Sequence, residues 1–346
     1  LNSDFLEAQR KLVPEMMDLM QQRYSALKLI EMSGPIGRRQ LGQVARLSER
    51  EARNVLEALR DAGLIRIEKE GATVTEEGRQ MLSSLRTSMD DWSGRNTLGR
   101  YLGQTIGIRK VIVVPGDSDA NASVKAVIGK EAAEQFISLI GDGRIVAVTG
   151  GSSVAAIPPH IAKFPEAERL KFIAARGGVG EDIGLQANVI SALFAQACGA
   201  TYSTFYYPET LSEEAHEVFR KEPAALEMMA LYEKTDCVLH GIGDAKKMAA
   251  IRNSSKEELE LLEQGKALGE AFGYYFDENG NVVYRLRTVG IQTEQLEDVP
   301  LLIAVAGGAS KAAAILAYMA SAPRQTILVT DEGAALEMQQ IVRKNT

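Results

Sequence analysis

Residues 36–74 constrain the fold most, because they order two short helices, a tight turn and two strand-like runs. Arg38 to Ala45 carries apolar residues at Leu41, Val44 and Ala45. A second helical stretch follows Ser48, and in it Ala52, Val55, Leu56 and Leu59 recur at the three-to-four spacing that buries one face. Ser48 with Glu51 three positions later has the form of a capping box, which satisfies backbone N–H groups at a helix start. Asp61-Ala62-Gly63 ends that helix, Leu64 to Ile67 reads as a strand, Glu70-Gly71 as a turn and Ala72 to Val74 as the return. Thr75 with Glu76-Glu77 starts another helix. Helix, helix, β-hairpin and helix in this order predict a winged helix-turn-helix.

The residues of the second helix not used for packing are Arg50, Arg53, Asn54 and Glu57. Arg pairing with guanine and Asn with adenine are common bidentate contacts in the major groove, which makes this the expected recognition helix. Arg38, Arg39 and Gln40 open the preceding helix, where a DNA phosphate is expected, and Ser48 opens the recognition helix. Arg66 and Lys69 sit on the wing. Residues 36–69 hold eight Lys/Arg against five Asp/Glu, an excess of three, so the rest of the −7 chain carries −10. One basic patch on an acidic protein suits a reader of double-stranded DNA whose remaining mass does something else. The bland alternative is a solvated helix face.

A chain of 346 residues exceeds one average domain, and 45% hydrophobic content suffices for a large core. Cys198 and Cys237 make neither a metal-ligand spacing nor a disulfide framework, and His160, His216 and His240 form no cluster. No metal or cofactor is expected. No apolar run reaches the length that spans a bilayer, and Leu1 to Arg10 is mixed and polar, so no membrane partner and a cytoplasmic location are expected.

Residues 4–33 read as one long helix bent near Pro14, and residues 76–93 as another. A junction at Asp90 to Asn96 divides the chain into a DNA-binding domain, 1–90, and a larger domain, 91–346. Trp92 is expected to dock one on the other, and the two long helices to pair subunits and carry change between domains. Beyond 108 the pattern becomes α/β. Strand-like runs at Lys110 to Val114, Ile145 to Thr149, Leu170 to Ala175, Cys237 to Gly241, Leu301 to Ala306 and Thr326 to Thr330 are mostly separated by helical stretches. Those stretches are Ala122 to Ile140, Ser153 to Ala162, Leu185 to Ala197, Ala245 to Arg252, Ser310 to Ala320 and Glu332 to Arg343. Such alternation predicts a doubly wound, mostly parallel sheet covered on both faces, with ligands beyond the carboxyl ends of its strands. Ala271 to Tyr284 reads as an inserted hairpin.

Two strand ends carry the same device. One strand runs into Thr149-Gly150-Gly151-Ser152-Ser153 and another into Gly307-Gly308-Ala309-Ser310-Lys311. Glycines let backbone approach a ligand, while N–H groups, hydroxyls and an ammonium suit a phosphate. Neither loop has the spacing of a P-loop or a dinucleotide fingerprint. Arg176 beside Gly177-Gly178 and Arg252 at a helix end could grip phosphate bidentately, or could be ordinary surface ion pairs.

The winged helix followed by "TGGSS", "ARGG", "GIGD", "GEAFGYYFDENG" and "VAGGASKAAAI" resembles, over essentially the full chain, the SorC/DeoR type of bacterial sugar-responsive regulator. The resemblance implies a large domain similar to sugar-phosphate isomerases and deaminases, reused as a sensor. It also implies a repressor of a glycolytic operon that leaves its operator when fructose-1,6-bisphosphate binds; the long helices and the symmetry of operators suggest a homodimer or homotetramer. Carried onto this chain, Thr149, Gly151, Ser152, Ser153, Gly308 and Lys311 would cradle one phosphate. Arg176, Gln186 and Arg252 would face the second, and Glu270 would accept hydrogen bonds from sugar hydroxyls. Two other readings stand beside it. One is a sugar-phosphate isomerase or deaminase with a DNA-binding appendage, drawing on Glu181, Asp182, Asp244, Glu270 and His240. The other is a regulator that senses through protein contacts.

Overall fold

Ala52, Val55, Leu56 and Leu59 lie buried along one side of a single helix, the face their spacing predicts. The structure, a computed structural model, describes residues 12–45, 47–92, 94–141, 144–177, 182–207, 212–286 and 288–345. The chain divides into two units, Leu1–Thr97 and Leu98–Thr346.

In the first unit, α1 (Pro14–Ser33), α2 (Arg38–Val44) and α3 (Glu49–Asp61) precede β1 (Ile65–Glu68), β2 (Gly71–Val74) and α4 (Glu76–Trp92). The capping box is present: Glu51 N–H donates to the Ser48 hydroxyl at 3.3 Å, and Ser48 N–H donates to the Glu51 carboxylate at 2.8 Å. The wing is an antiparallel pair with Ile65 opposite Val74 and Glu68 opposite Gly71. Its turn is therefore Lys69-Glu70, one residue earlier than expected. Leu27, Ile30, Ile36, Leu41, Val55, Leu59, Ile65 and Leu82 form the core. The expected start of the first helix at residue 4 lies outside the described residues, as does the side chain of Trp92.

The second unit opens within α5 (Arg95–Ile106), a helix the periodicity did not reveal and whose first residues fall in the first unit. It continues with β3 (Lys110–Val114), α6 (Val124–Leu139), β4 (Ile145–Val148), α7 (Ser152–Ala155), β5 (Lys171–Ala174), α8 (Ala187–Cys198) and β6 (Thr201–Ser203). Next come α9 (Glu213–Phe219), α10 (Pro223–Tyr232), β7 (Cys237–Gly241), β8 (Gly243–Asp244), α11 (Ala245–Ile251) and α12 (Lys256–Gln264). The chain closes with β9 (Gly269–Ala271), β10 (Tyr274–Phe276), β11 (Val282–Arg285), β12 (Leu301–Val305), α13 (Ala312–Met319), β13 (Thr326–Asp331) and α14 (Glu332–Asn345).

Among the described residues the main sheet has seven parallel strands in the order β3-β13-β12-β7-β4-β5-β6. Its central strands β12 and β13 are buried at every residue, as strands covered on both faces must be. From β4 the chain steps outward through β5 and β6, and from β7 it steps the other way through β12 and β13. The neighbours β4 and β7 thus mark the switch point, where open α/β sheets bind ligands beyond their carboxyl ends. The expected hairpin is present as β10–β11, extended by β9 and β8 into a four-stranded antiparallel sheet. One expectation fails: the helix from Ser153 to Ala162 stops at Ala155. Proline has no N–H to donate and clashes with the preceding turn, so Pro158-Pro159 diverts the chain into a short 3-10 turn. Cys198 and Cys237 are buried free thiols.

Candidate functional site

Arg38, Arg39, Gln40, Ser48, Arg50, Arg53, Asn54, Arg66 and Lys69 are all exposed, on α2, on α3 or its cap, and on the wing. The buried stripe of α3 fixes its rotation, so Arg50, Arg53 and Asn54 share the opposite face in its first turns, where recognition helices meet base edges. Two of these cations have carboxylate partners. Arg38 meets Glu49 at 2.8 Å and Arg53 meets Glu57 at 2.9 Å. Both pairs are exposed, and exposed pairs are worth little in water, so giving up either one costs little.

In the second unit, the carboxyl ends of β4, β5, β7 and β12 bring the expected ligand residues to one edge of the sheet. After β4, Gly151 takes φ +108, and after β12, Gly308 takes φ +99, conformations that side chains rarely adopt. The glycines therefore make the turns that carry both loops. Their N–H groups are engaged within the protein, Gly151 with the Leu185 carbonyl at 2.9 Å and Gly308 with the Asp331 carboxylate at 2.8 Å. Thr149 is 5% exposed, and its hydroxyl accepts from Gly241 N–H at 3.0 Å, bracing β4 against β7.

Hydroxyls and ammoniums also converge here, beside the Asp119 carboxylate that accepts from Ser310 N–H at 2.7 Å. Lys125, at the start of α6, donates to the Ser152 hydroxyl at 3.4 Å, and Lys247, in α11, donates to the Ser310 hydroxyl at 3.5 Å. Lys311 reaches the Ile242 carbonyl at 3.4 Å. Burial, reinforced by the charges of Lys125 and Lys247, pulls the Lys311 ammonium below the usual lysine range. Three ammoniums from three parts of the chain thus share one region with Ser152 and Ser310, next to the nearly buried Ser153. Such a cluster is suited to a dianion. With α7 only four residues long, the lysines rather than a helix dipole supply the field.

The second grouping is deeper. Glu270 Oε1 accepts from Arg176 Nη1 at 3.1 Å, from Arg252 Nη2 at 2.9 Å and from Gly273 N–H at 2.7 Å. Arg252 also donates to the Tyr275 hydroxyl at 2.7 Å, with its guanidinium 5.6 Å from that ring's centre. Burial acts to raise the Glu270 carboxyl, but Arg252 and Arg176 outweigh it and hold the group below the usual range. The sequence reading placed both arginines on a ligand and Glu270 on a sugar; the structure joins the three to each other. The trio carries one positive charge in sum. It adjoins the lysine cluster, because Glu270 pairs with Gly243, the neighbour of the Ile242 that Lys311 touches. Gln186 sits elsewhere on this edge. It caps α8 next to Leu185, whose carbonyl holds the β4 loop.

Of the groups the enzyme reading draws on, Asp244, Asp182 and His240 have local structural partners. Asp244 accepts Lys247 N–H at the cap of α11, Asp182 accepts Gly184 N–H, and Glu181 lies outside the described residues. His240 is fully buried against Phe272 and Tyr318, and burial pushes its ring down to about 4, so it is neutral near pH 7. Lys125, Lys247 and Tyr275 were not singled out in the sequence. The cue for the lysines was Lys246-Lys247, one residue beyond the "GIGD" strand end. No group of His, Cys, Asp and Glu among the described residues could hold a metal ion. No helix among them is long and apolar enough to cross a membrane.

Comparison with known proteins bears out the motif resemblance. Residues 19–89 match the family described as "CggR N-terminal DNA binding domain", and residues 90–339 match "Putative sugar-binding domain". The chain is 39% identical over 336 residues to the central glycolytic genes regulator of Bacillus subtilis (strain 168), covering 97% of this chain and 98% of that one. It is 41% identical over 334 residues to the protein of the same name in Priestia megaterium, covering 96% and 97%. A solved structure from Enterococcus faecalis, assigned to the SorC family, is 40% identical with a TM-score of 0.66, covering 70% of this chain and 99% of that chain.

Proposed function

The chain belongs to the family of central glycolytic genes regulators, and from that premise we propose that it represses a glycolytic operon until a phosphorylated sugar, fructose-1,6-bisphosphate, releases it from double-stranded operator DNA. It is a regulator and not an enzyme: the relatives that span its whole length are named as regulators. It needs no cofactor, acts in the cytoplasm and binds its operator as a homodimer or homotetramer, because a two-fold operator calls for a two-fold protein.

One observation carries the choice of ligand. Two cationic groupings, Lys125/Lys247/Lys311 and Arg176/Arg252, adjoin at the switch point of one sheet. A bisphosphate offers each of them a dianion, and a monophosphate can satisfy only one. Ser152, Ser153 and Lys311 hold one phosphate on turns made by Gly151 and Gly308, with Thr149 bracing the strand beneath. Arg176, Arg252 and Gln186 serve the second, and Glu270 orients the guanidiniums while its Oε2 takes a sugar hydroxyl. Release of DNA then requires only that the sugar bind the DNA-free form more tightly than the bound form.

The test follows labelled promoter DNA by fluorescence anisotropy at fixed salt, since affinity for DNA depends steeply on ionic strength. Fructose-1,6-bisphosphate is titrated against fructose-6-phosphate and glucose-6-phosphate. Weakened DNA binding with the bisphosphate alone, lost in Arg252→Ala, is the expected outcome. Indifference to every sugar phosphate would overturn the ligand and its site.

A further inference from the structure

Three successive backbone N–H groups of the loop after β12 each point at a carboxylate. Gly308 N–H donates to Asp331 at 2.8 Å, Ala309 N–H to Asp117 at 3.3 Å and Ser310 N–H to Asp119 at 2.7 Å. Two of these carboxylates are fixed by other work. Asp331 is fully buried and also accepts from Ser118 and Ala334 N–H, and Asp117 also accepts from Asp119 N–H. Asp119 is different, because it is exposed and its carboxylate is acted on by the Lys247 and Lys311 ammoniums rather than enclosed in a core. The Ser310 N–H and side chain bind it, and the charges of Lys247 and Lys311 act on it. A Cβ on Gly308 would come within 2.6 Å of its Oδ1, so the glycine is what lets the carboxylate settle over the loop.

One N–H, one hydroxyl and two ammoniums around an oxyanion are the partners that a phosphate would take in the same place. We propose that Asp119 is an internal competitor for the effector's phosphate: its carboxylate holds the Ser310 N–H and the Lys247/Lys311 field, and sets how much ligand is needed to displace it. This rests on the reading that the lysine cluster receives a phosphate. A dianion attracts two ammoniums more strongly than a single carboxylate does, so a phosphate displaces Asp119 where a singly charged sugar acid does not. The residue therefore raises the threshold of the response and selects for doubly charged groups.

Calorimetric titration of fructose-1,6-bisphosphate and of inorganic phosphate into wild type, Asp119→Asn, Asp119→Ala and Lys311→Ala tests this, with circular-dichroism melting as the check of fold. Asp119→Asn keeps the shape and an acceptor for Ser310 N–H but removes the charge. It is expected to bind both ligands about tenfold tighter, the low end of what one hydrogen bond to a charged group contributes, and to release DNA at correspondingly lower sugar concentration. Should Asp119→Ala melt early, Asp119→Asn decides alone. Unchanged or weaker binding in a folded Asp119→Asn, while Lys311→Ala still loses ligand, would make Asp119 a loop brace and overturn the inference alone. No binding by wild type, with Lys311→Ala indistinguishable from it, would overturn the phosphate reading and the inference with it.

Discussion

Arg252 meets Glu270 at 2.9 Å in a contact where the two side chains are 3% and 6% exposed. Water does not screen such a pair, and each charge relies on its buried partners for solvation. Removing one partner is therefore far more costly than losing a surface ion pair. Glu270→Ala leaves Arg252 and Arg176 facing each other without the carboxylate between them. It should destabilise the second unit by roughly 3–5 kcal/mol, read as a lower denaturation midpoint in urea. Loss of less than about 1 kcal/mol would mean the guanidiniums find other partners at no cost.

His240 links stability to pH. Its folded value of about 4 lies below the ordinary value of 6.5. Between those two values the unfolded chain binds a proton that the folded chain refuses, so stability is full above about pH 6.5 and falls as pH drops toward 4. This group alone should remove about 2 kcal/mol between pH 7 and pH 5. Glu270, whose folded value is depressed, acts in the same direction lower down: its contribution is present above the unfolded carboxylate range and is lost as pH falls through the folded value. Replacing His240 by Leu should flatten the dependence between pH 7 and pH 5, and equally steep curves for both proteins would assign it elsewhere.

The residues proposed to face DNA separate by what each would touch. Asn54→Ala, on the exposed face of α3, should cost about 1–3 kcal/mol on operator DNA and little on random DNA. Arg66→Ala and Lys69→Ala, on the wing, should weaken both equally and lower the salt slope by about one. The comparison is a salt titration on the two DNAs, and a sequence-independent loss in Asn54→Ala would move base reading to another residue.

Ser48→Ala removes one half of the reciprocal cap on α3. The first unit should lose about 1 kcal/mol, with operator affinity falling as the helix start frays. Amide hydrogen exchange at Glu49 to Ala52 reads this directly, and unaltered protection there would show that neighbouring turns hold the helix without its cap.

Lys125→Ala and Lys247→Ala should each raise the concentration of fructose-1,6-bisphosphate needed for half-release of DNA. At ligand one hundred times its Kd, wild type should gain about 2.7 kcal/mol of stability, and each variant less at the same concentration. A thermal-shift titration measures it. Equal shifts in all three proteins would place the ligand away from the lysines.

Much of this protein is written locally. The stripe Ala52/Val55/Leu56/Leu59, the Ser48–Glu51 box and the wing hairpin, its turn one residue off, needed only neighbours within a few residues, so they could be read before any fold was known. Six of the seven main strands were visible for the same reason, as apolar runs buried on both faces. The seventh, β6, has three residues with two exposed, and so little burial leaves no pattern. The glycine loops announced close backbone turns, which Gly151 and Gly308 make.

What sequence alone could not decide is which polar groups meet. Lys125, Lys247 and Lys311 come from separate helices and turns, and only the strand order β3-β13-β12-β7-β4-β5-β6 lays their ends along one edge. Arg176, just beyond β5 of that sheet, and Glu270, on β9 of the smaller antiparallel sheet, bond across 94 residues of chain. The loop N–H groups looked open to a ligand until folding brought Asp117, Asp119 and Asp331 to them from distant positions. Periodicity and capping follow from the backbone's own geometry, whereas the pairing of charges follows from burial, which exists only once distant strands have packed.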